Sequence, residues 1–171
     1  NASETYMDKI SANVSENNVI DLDFTLKKNI FNLAEYKNKK PSDLTVCFLD
    51  RTRHKKIKNE LLSLGVNLKL ISDGDISGAL LVSEDKHGVD LFLGEGGGPE
   101  GVLAAAALDV FDCFFQGRFL FKTDQDKIRA RKMGIDNLYK KYALHEIISG
   151  DSIFCATGIT SGDLVAGIEI Q

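Results

Sequence analysis

A chain of 171 residues, 43% apolar and 27% charged, has the composition of one globular domain and leaves little room for a long disordered segment. Its formal net charge of −4 and its lack of any long basic stretch exclude a nucleic-acid-binding surface, because affinity for a phosphate backbone comes from clustered Lys and Arg. The longest apolar runs, residues 102–108 and 119–121, fall far short of the ~20 residues that span a bilayer, so no membrane contact is expected and the cytoplasm is the expected compartment. Cys47, Cys113 and Cys155 stand singly in or beside apolar runs, with no CxxC pair, and read as buried thiols.

The chain opens on Asn1-Ala2 without an initiator Met and continues through a polar stretch; it is expected to be a fragment of a longer protein. Residues 19–36 carry Leu26, Ile30 and Leu33 at helical spacing, with Thr25 placed to cap them. A turn at 38–42 leads to a β-rich apolar run at 44–49. Residues 55–64 put Ile57, Leu61 and Leu64 on one helical face, with Gly65 as a stop. A second strand is expected at 66–72, a short helix at 76–82, a third strand at 89–93 and an Ala-rich helix at 102–111. A strand at 114–121, one or two polar helices within 124–148 and a last strand at 152–156 complete the order. The alternation of strand and helix, and the nearly continuous apolar strands, predict an α/β fold with a mostly parallel sheet and helices on both faces.

Each polar motif follows the carboxyl end of a predicted strand: Asp50 to His54, Asp73 to Asp75, Gly94 to Gly101 and Thr157 to Asp163. In an open parallel sheet those ends share one edge, where ligands bind, so a single site is implied. Arg51 and Arg53 bring two guanidinium groups to a helix start, which suits a phosphate; a solvated basic helix start is the bland alternative. Asp73 and Asp75 flank Gly74. They read either as a capped turn or as carboxylates that accept hydrogen bonds from sugar hydroxyls. In GEGGGPEG (94–101) the glycines would let a ligand approach the backbone, Pro99 suits a first helical turn, and Glu100 is an oxygen donor for a divalent metal or a dipole-compensating acid. Gly96, Gly98 and Gly101 also satisfy GxGxxG, but the motif does not follow the first strand of a βαβ unit and no acid ends a strand about 20 residues later. His54 is a candidate substrate contact, whereas His87 and His145 lie on polar stretches and read as surface residues.

The succession Tyr6-Met7-Asp8-Lys9, Leu49-Asp50-Arg51-Thr52-Arg53-His54, Leu70-Ile71-Ser72-Asp73-Gly74-Asp75, Pro99-Glu100-Gly101-Val102-Leu103-Ala104, Gln116-Gly117-Arg118 and Ala156-Thr157-Gly158 resembles class II fructose-1,6-bisphosphatases over nearly the whole chain. Similar cyanobacterial enzymes also act on sedoheptulose-1,7-bisphosphate. The resemblance implies the second lobe of the two-lobed lithium-sensitive sugar phosphatase fold, with residues 1–171 as a single α/β domain. It further implies that Tyr6, Arg51, Thr52, Arg53, Asp73, Gly74, Asp75 and Gly97 contact a sugar bisphosphate and that Glu100 binds Mg²⁺ or Mn²⁺. The family's other metal-binding acids and its catalytic loop lie in an N-terminal lobe upstream of Tyr6. That lobe is the expected partner, no catalytic residue is assigned within this chain, and a homo-oligomer is allowed. Glu95 departs from the apolar residue more usual between those glycines. A non-catalytic sugar-phosphate-binding module and a nucleotide-dependent oxidoreductase domain are the alternatives.

Overall fold

A computed structural model describes residues 5–168. Its centre is a six-stranded sheet built from β1 (Tyr6–Ala12), β2 (Thr45–Leu49), β3 (Asn67–Ile71), β4 (Leu91–Gly97), β5 (Phe114–Leu120) and β6 (Lys141–Ala143), in the order β3-β2-β4-β1-β5-β6. The helices are α1 (Leu26–Tyr36), α2 (Lys55–Ser63), α3 (Asp75–Leu80), α4 (Gly98–Asp109), α5 (Asp124–Lys132) and α6 (Leu144–Ile147).

The sheet is mixed, which corrects the expectation of a mostly parallel one. β2 pairs in parallel with β3 and β4, but β1 lies antiparallel between β4 and β5, and β6 is antiparallel to β5. The cause is β1, a strand absent from the sequence reading because YMDKISA places Asp8, Lys9 and Ser11 where a central strand ordinarily shows an apolar run. Two of those polar groups find tertiary partners. Lys9 meets Asp75, and the Ser11 hydroxyl donates to the Ala79 carbonyl at 3.4 Å. Since β1 runs against both β4 and β5, the strands β2, β3, β4 and β5 all point one way. Their carboxyl ends and the amino end of β1 therefore meet along one edge.

Period-two alternation divides the core into two layers. Ile10, Val46, Phe48, Leu91 and Leu93 face Ile30 and Leu33 of α1 and Leu61 of α2. Met7, Cys47, Phe92 and Phe115 face Leu80 of α3 and Ala104, Ala105 and Leu108 of α4. Small residues let α4 lie close to the sheet, and Thr25 caps α1 by accepting from the Lys28 amide at 3.2 Å. The loop before α1 is tied to the far strands, because Asp21 and Asp23 hold Gln116, Arg118 and Lys141. These contacts account for Gln116 and Arg118.

Three further expectations need correction. The third strand does not stop at 93 but runs through Gly97, because Gly94, Gly96 and Gly97 pair with Lys9, Met7 and Tyr6 of β1. Residues 152–156 form no strand, since they find no ladder partner among the described residues, although Phe154 and Leu164 pack against the second layer. The two helices allowed within 124–148 are present as α5 and α6, with the short strand β6 between them. Cys155 is exposed, while Cys47 and Cys113 are buried; burial pushes their thiols up to about 12 and about 11. A thiol reagent added to the folded chain at mildly alkaline pH should titrate one cysteine rapidly and three after denaturation; rapid reaction of all three in the folded chain would contradict this packing.

Candidate functional site

The shared edge carries a cleft of about 600 Å³. β2 delivers Arg51 and Arg53 after Leu49, through a 3-10 turn at Thr52–His54 that leads into α2. β3 delivers Asp73, Gly74 and Asp75, where Gly74 takes φ +88° to start α3. Gly97 ends β4 and Glu100 stands in the first turn of α4, beside Pro99. Tyr6 reaches the same edge because β1 begins there. Tyr6, Arg51, Arg53, Asp73, Gly74, Asp75, Gly97 and Glu100 all line this cleft. Thr52 does not: it lines a neighbouring depression with Asp50, Lys55 and Lys58, which Arg51 also borders. The Thr157 to Asp163 motif is also elsewhere, with Asp163 paired to Lys69 at 2.9 Å.

The cleft carries groups of both charges. The Arg53 Nε and Nη2 donate to the Glu95 carbonyl at 3.1 and 2.6 Å, and its guanidinium lies 5.3 Å from the centre of the Tyr6 ring. Lys122 Nζ lies 5.0 Å from the same ring and 3.1 Å from Glu95 Oε2. Glu95, which stands where an apolar residue was expected between the glycines, thus has its charge matched by Lys122. Asp73, Asp75 and Glu100 line the same cleft. Such a cleft can bind an anion at its guanidinium groups and polyol hydroxyls or a cation at its carboxylates.

The residue that sequence reasoning left without a role is Lys9. Its side chain is 1% exposed, ion-paired with Asp75 Oδ2 and hydrogen-bonded to the Gly97 carbonyl at 3.0 Å. Burial pushes its ammonium below the usual lysine range, and the Asp75 charge opposes that shift. Beyond its place in the Tyr6-Met7-Asp8-Lys9 motif, its sequence signal was a charge inside a strand-length segment, since its partner stands 66 residues away. Asp75 Oδ1 remains buried without a hydrogen-bond partner.

His54 does not reach the cleft. It is 2% exposed, with Nδ1 at 2.7 Å from the Leu49 carbonyl and Nε2 at 3.0 Å from the Glu95 amide. The carbonyl can only accept and the amide can only donate, so the ring is the neutral Nδ1–H tautomer that pins the end of β2 to β4. Side chains also account for the glycine run. A Cβ at Gly94 would sit 3.0 Å from His54 Cε1, one at Gly96 would strike the Asp75 carboxylate, and one at Gly97 would strike that of Glu100. The glycines make room for the charged groups around the cleft.

Glu100 is exposed at the cleft, with no hydrogen bond or ion pair to another described residue. Among the described residues no group of three or more His, Cys, Asp or Glu gathers around a common point. A hard divalent ion takes about six oxygen ligands, so Glu100 fits as one donor of a larger set.

Residues 1–171 in full match the family model described as bacterial fructose-1,6-bisphosphatase, glpX-encoded. The chain belongs to that family. It is similar to proteins named D-fructose 1,6-bisphosphatase class 2/sedoheptulose 1,7-bisphosphatase from Synechococcus sp. strains JA-3-3Ab and JA-2-3B'a(2-13), each 34% identical over 98% of this chain and 52% of the relative. A protein of the same name from Prochlorococcus marinus (strain NATL1A) is 32% identical over 100% of this chain and 55% of its own length. The chain spans about half the length of the curated relatives it matches. No helix among the described residues is long and apolar enough to cross a membrane.

On the same face of β1 as Tyr6, two residues further along the strand, stands Asp8, flanked in register by Glu95 and Arg118. Burial, then the Glu95 charge, raise the Asp8 carboxyl above its ordinary 3.8. The folded state therefore holds this proton more tightly than the unfolded chain, and the stability it contributes is present below 3.8 and lost as pH rises through the higher folded value. Asp8→Asn should raise the urea midpoint at neutral pH, with the gain fading on acidification through the carboxylate range. A midpoint difference that does not change with pH would contradict this.

Proposed function

We propose that the protein containing this chain is a metal-dependent sugar-bisphosphate 1-phosphatase that converts fructose 1,6-bisphosphate to fructose 6-phosphate in gluconeogenesis, in the cytoplasm. The observation that carries this reading is the cleft lined by two guanidinium groups and three carboxylates at the ends of co-directional strands. Family membership supports the reaction class. Sedoheptulose 1,7-bisphosphate, which appears in the relatives' names, is a second candidate substrate.

In this reading Arg51 and Arg53 hold a phosphate by charge-assisted hydrogen bonds, with Tyr6 packed against the Arg53 guanidinium. The Gly74 backbone and the carboxylates of Asp73 and Asp75 orient the sugar by accepting from its hydroxyls, and Gly97 admits the sugar close to the chain. Glu100 would hold Mg²⁺ or Mn²⁺, which when bound supplies charge neutralisation at the phosphoryl oxygens and an acidified water. Uncatalysed phosphate-monoester hydrolysis requires up to ~10²¹-fold acceleration, which one carboxylate does not deliver. We therefore assign the remaining metal donors to an N-terminal lobe of the same two-lobed lithium-sensitive sugar phosphatase fold, with this chain as the substrate lobe. Thr52, which lines the adjacent depression, would act by placing its neighbours rather than by touching the sugar.

Calorimetric titration of the 171-residue chain with fructose 1,6-bisphosphate should give saturable binding, weakened about tenfold or more by Arg53→Ala, since a hydrogen bond to a charged group contributes about 1.5–3 kcal/mol. Phosphate release with Mn²⁺ should be near zero for the chain alone and should appear when it is joined to an upstream lobe. Binding unaffected by Arg53→Ala, or saturable binding of NADH in place of the bisphosphate, would contradict the assignment.

A further inference from the structure

The cleft holds two carboxylates in very different circumstances. Glu100 is exposed and has no partner among the described residues, whereas Asp75 is nearly enclosed, its side chain 11% exposed and locked to Lys9. A divalent ion entering beside Glu100 would ordinarily recruit a second nearby carboxylate, because hard cations gather oxygen ligands and charge. Lys9 stands in the way of that outcome. Its ammonium already occupies Asp75 Oδ2 and also bonds the Gly97 carbonyl, and its charge acts on Glu100 as well.

The surroundings are shaped to keep the lysine there. A Cβ at Gly101 of α4 would lie 3.3 Å from Lys9 Cδ and 3.5 Å from Cε, so the helix lies flush on the lysine stem. A Cβ at Gly96 would displace the Asp75 carboxylate from its partner. The second carboxylate oxygen, Asp75 Oδ1, is buried with no hydrogen bond, in a residue that lines the cleft. An unpaired buried acceptor is costly and invites a neutral donor.

Building on the sugar-phosphatase reading, we propose that Lys9 is a positioning residue that divides the work between the two carboxylates. By neutralising Asp75 it turns that residue into an acceptor for a substrate hydroxyl at Oδ1, bars it from the metal, and leaves Glu100 as the open cation ligand. Lys9 itself touches neither substrate nor metal. A lysine with a purely structural role would leave metal affinity unchanged when replaced.

The test is a titration of the 171-residue chain with Mn²⁺ alone, following free Mn²⁺ by electron paramagnetic resonance. Lys9→Met, which keeps the stem and removes the charge, should bind Mn²⁺ roughly tenfold or more tightly than the wild type, because a unit charge a few ångströms from an ion site is worth at least that much at protein-surface permittivity. Adding Asp75→Asn to Lys9→Met should abolish the gain, and Lys9→Arg should behave as wild type. If Lys9→Met loses its cooperative thermal transition, Lys9→Gln carries the same titration. Unchanged Mn²⁺ affinity on loss of the lysine charge, or a gain that survives Asp75→Asn, overturns the proposal. Failure of the sugar-phosphatase reading is recorded separately, as absence of fructose 1,6-bisphosphate binding by the wild-type chain.

Discussion

A charged pair is buried at the centre of the sheet, and the site edge is built around it. Lys9 lies on the strand that splits β4 from β5, and it reaches across the end of the sheet to Asp75 at the start of α3. A buried ion pair contributes little net stability, yet removing one partner costs about 3–5 kcal/mol because the other charge is stranded. The neighbourhood is packed tightly around the pair: position 96 must lack a side chain to admit the aspartate, and a Cβ at position 101 would strike Met7 Sδ beside the lysine stem. Of the glycine-rich run, Gly96 makes room for this pair, while Gly94 and Gly97 make room for His54 and Glu100.

The same strand decides which residues share the cleft. Because β1 runs opposite to its neighbours, its first residue, Tyr6, arrives at the edge where β2, β3 and β4 finish. The alternation of the strands then separates charge. Asp8, Glu95 and Arg118 lie on the face covered by α1 and α2, and Lys9 and Asp75 on the face covered by α3 and α4. His54 anchors the end of β2, which delivers the two arginines, to the strand that carries Glu95.

Much of this fold is legible in the sequence wherever local chemistry and tertiary burial agree. Leu26, Ile30 and Leu33 after a capping threonine mark α1, and the apolar run after Leu44 marks β2. β1 is hidden because its polar residues are compensated by groups distant in sequence, which no local pattern reveals. The strand expected at 152–156 has the right composition but no edge to pair with among the described residues. At the site, the rule that ligands gather at strand ends brought Arg51, Arg53, Asp73, Asp75 and Glu100 together, and the family resemblance added Tyr6, Gly74 and Gly97. Thr52 lines the neighbouring depression, and His54 proved a buried pin, because its two ring nitrogens bond the backbone of β2 and β4. Lys9 was beyond reach, since its meaning depends on Asp75.

The chain belongs to the bacterial fructose-1,6-bisphosphatase family, and one cleft gathers two of its arginines and three of its carboxylates. The most direct test is an amide chemical-shift map of the chain titrated with fructose 1,6-bisphosphate. Shifts concentrated at Arg51, Arg53, Gly74, Asp75 and Gly97 are predicted; shifts concentrated instead around Lys37, Lys39 and Asp90, at the opposite edge of the sheet, would contradict the account.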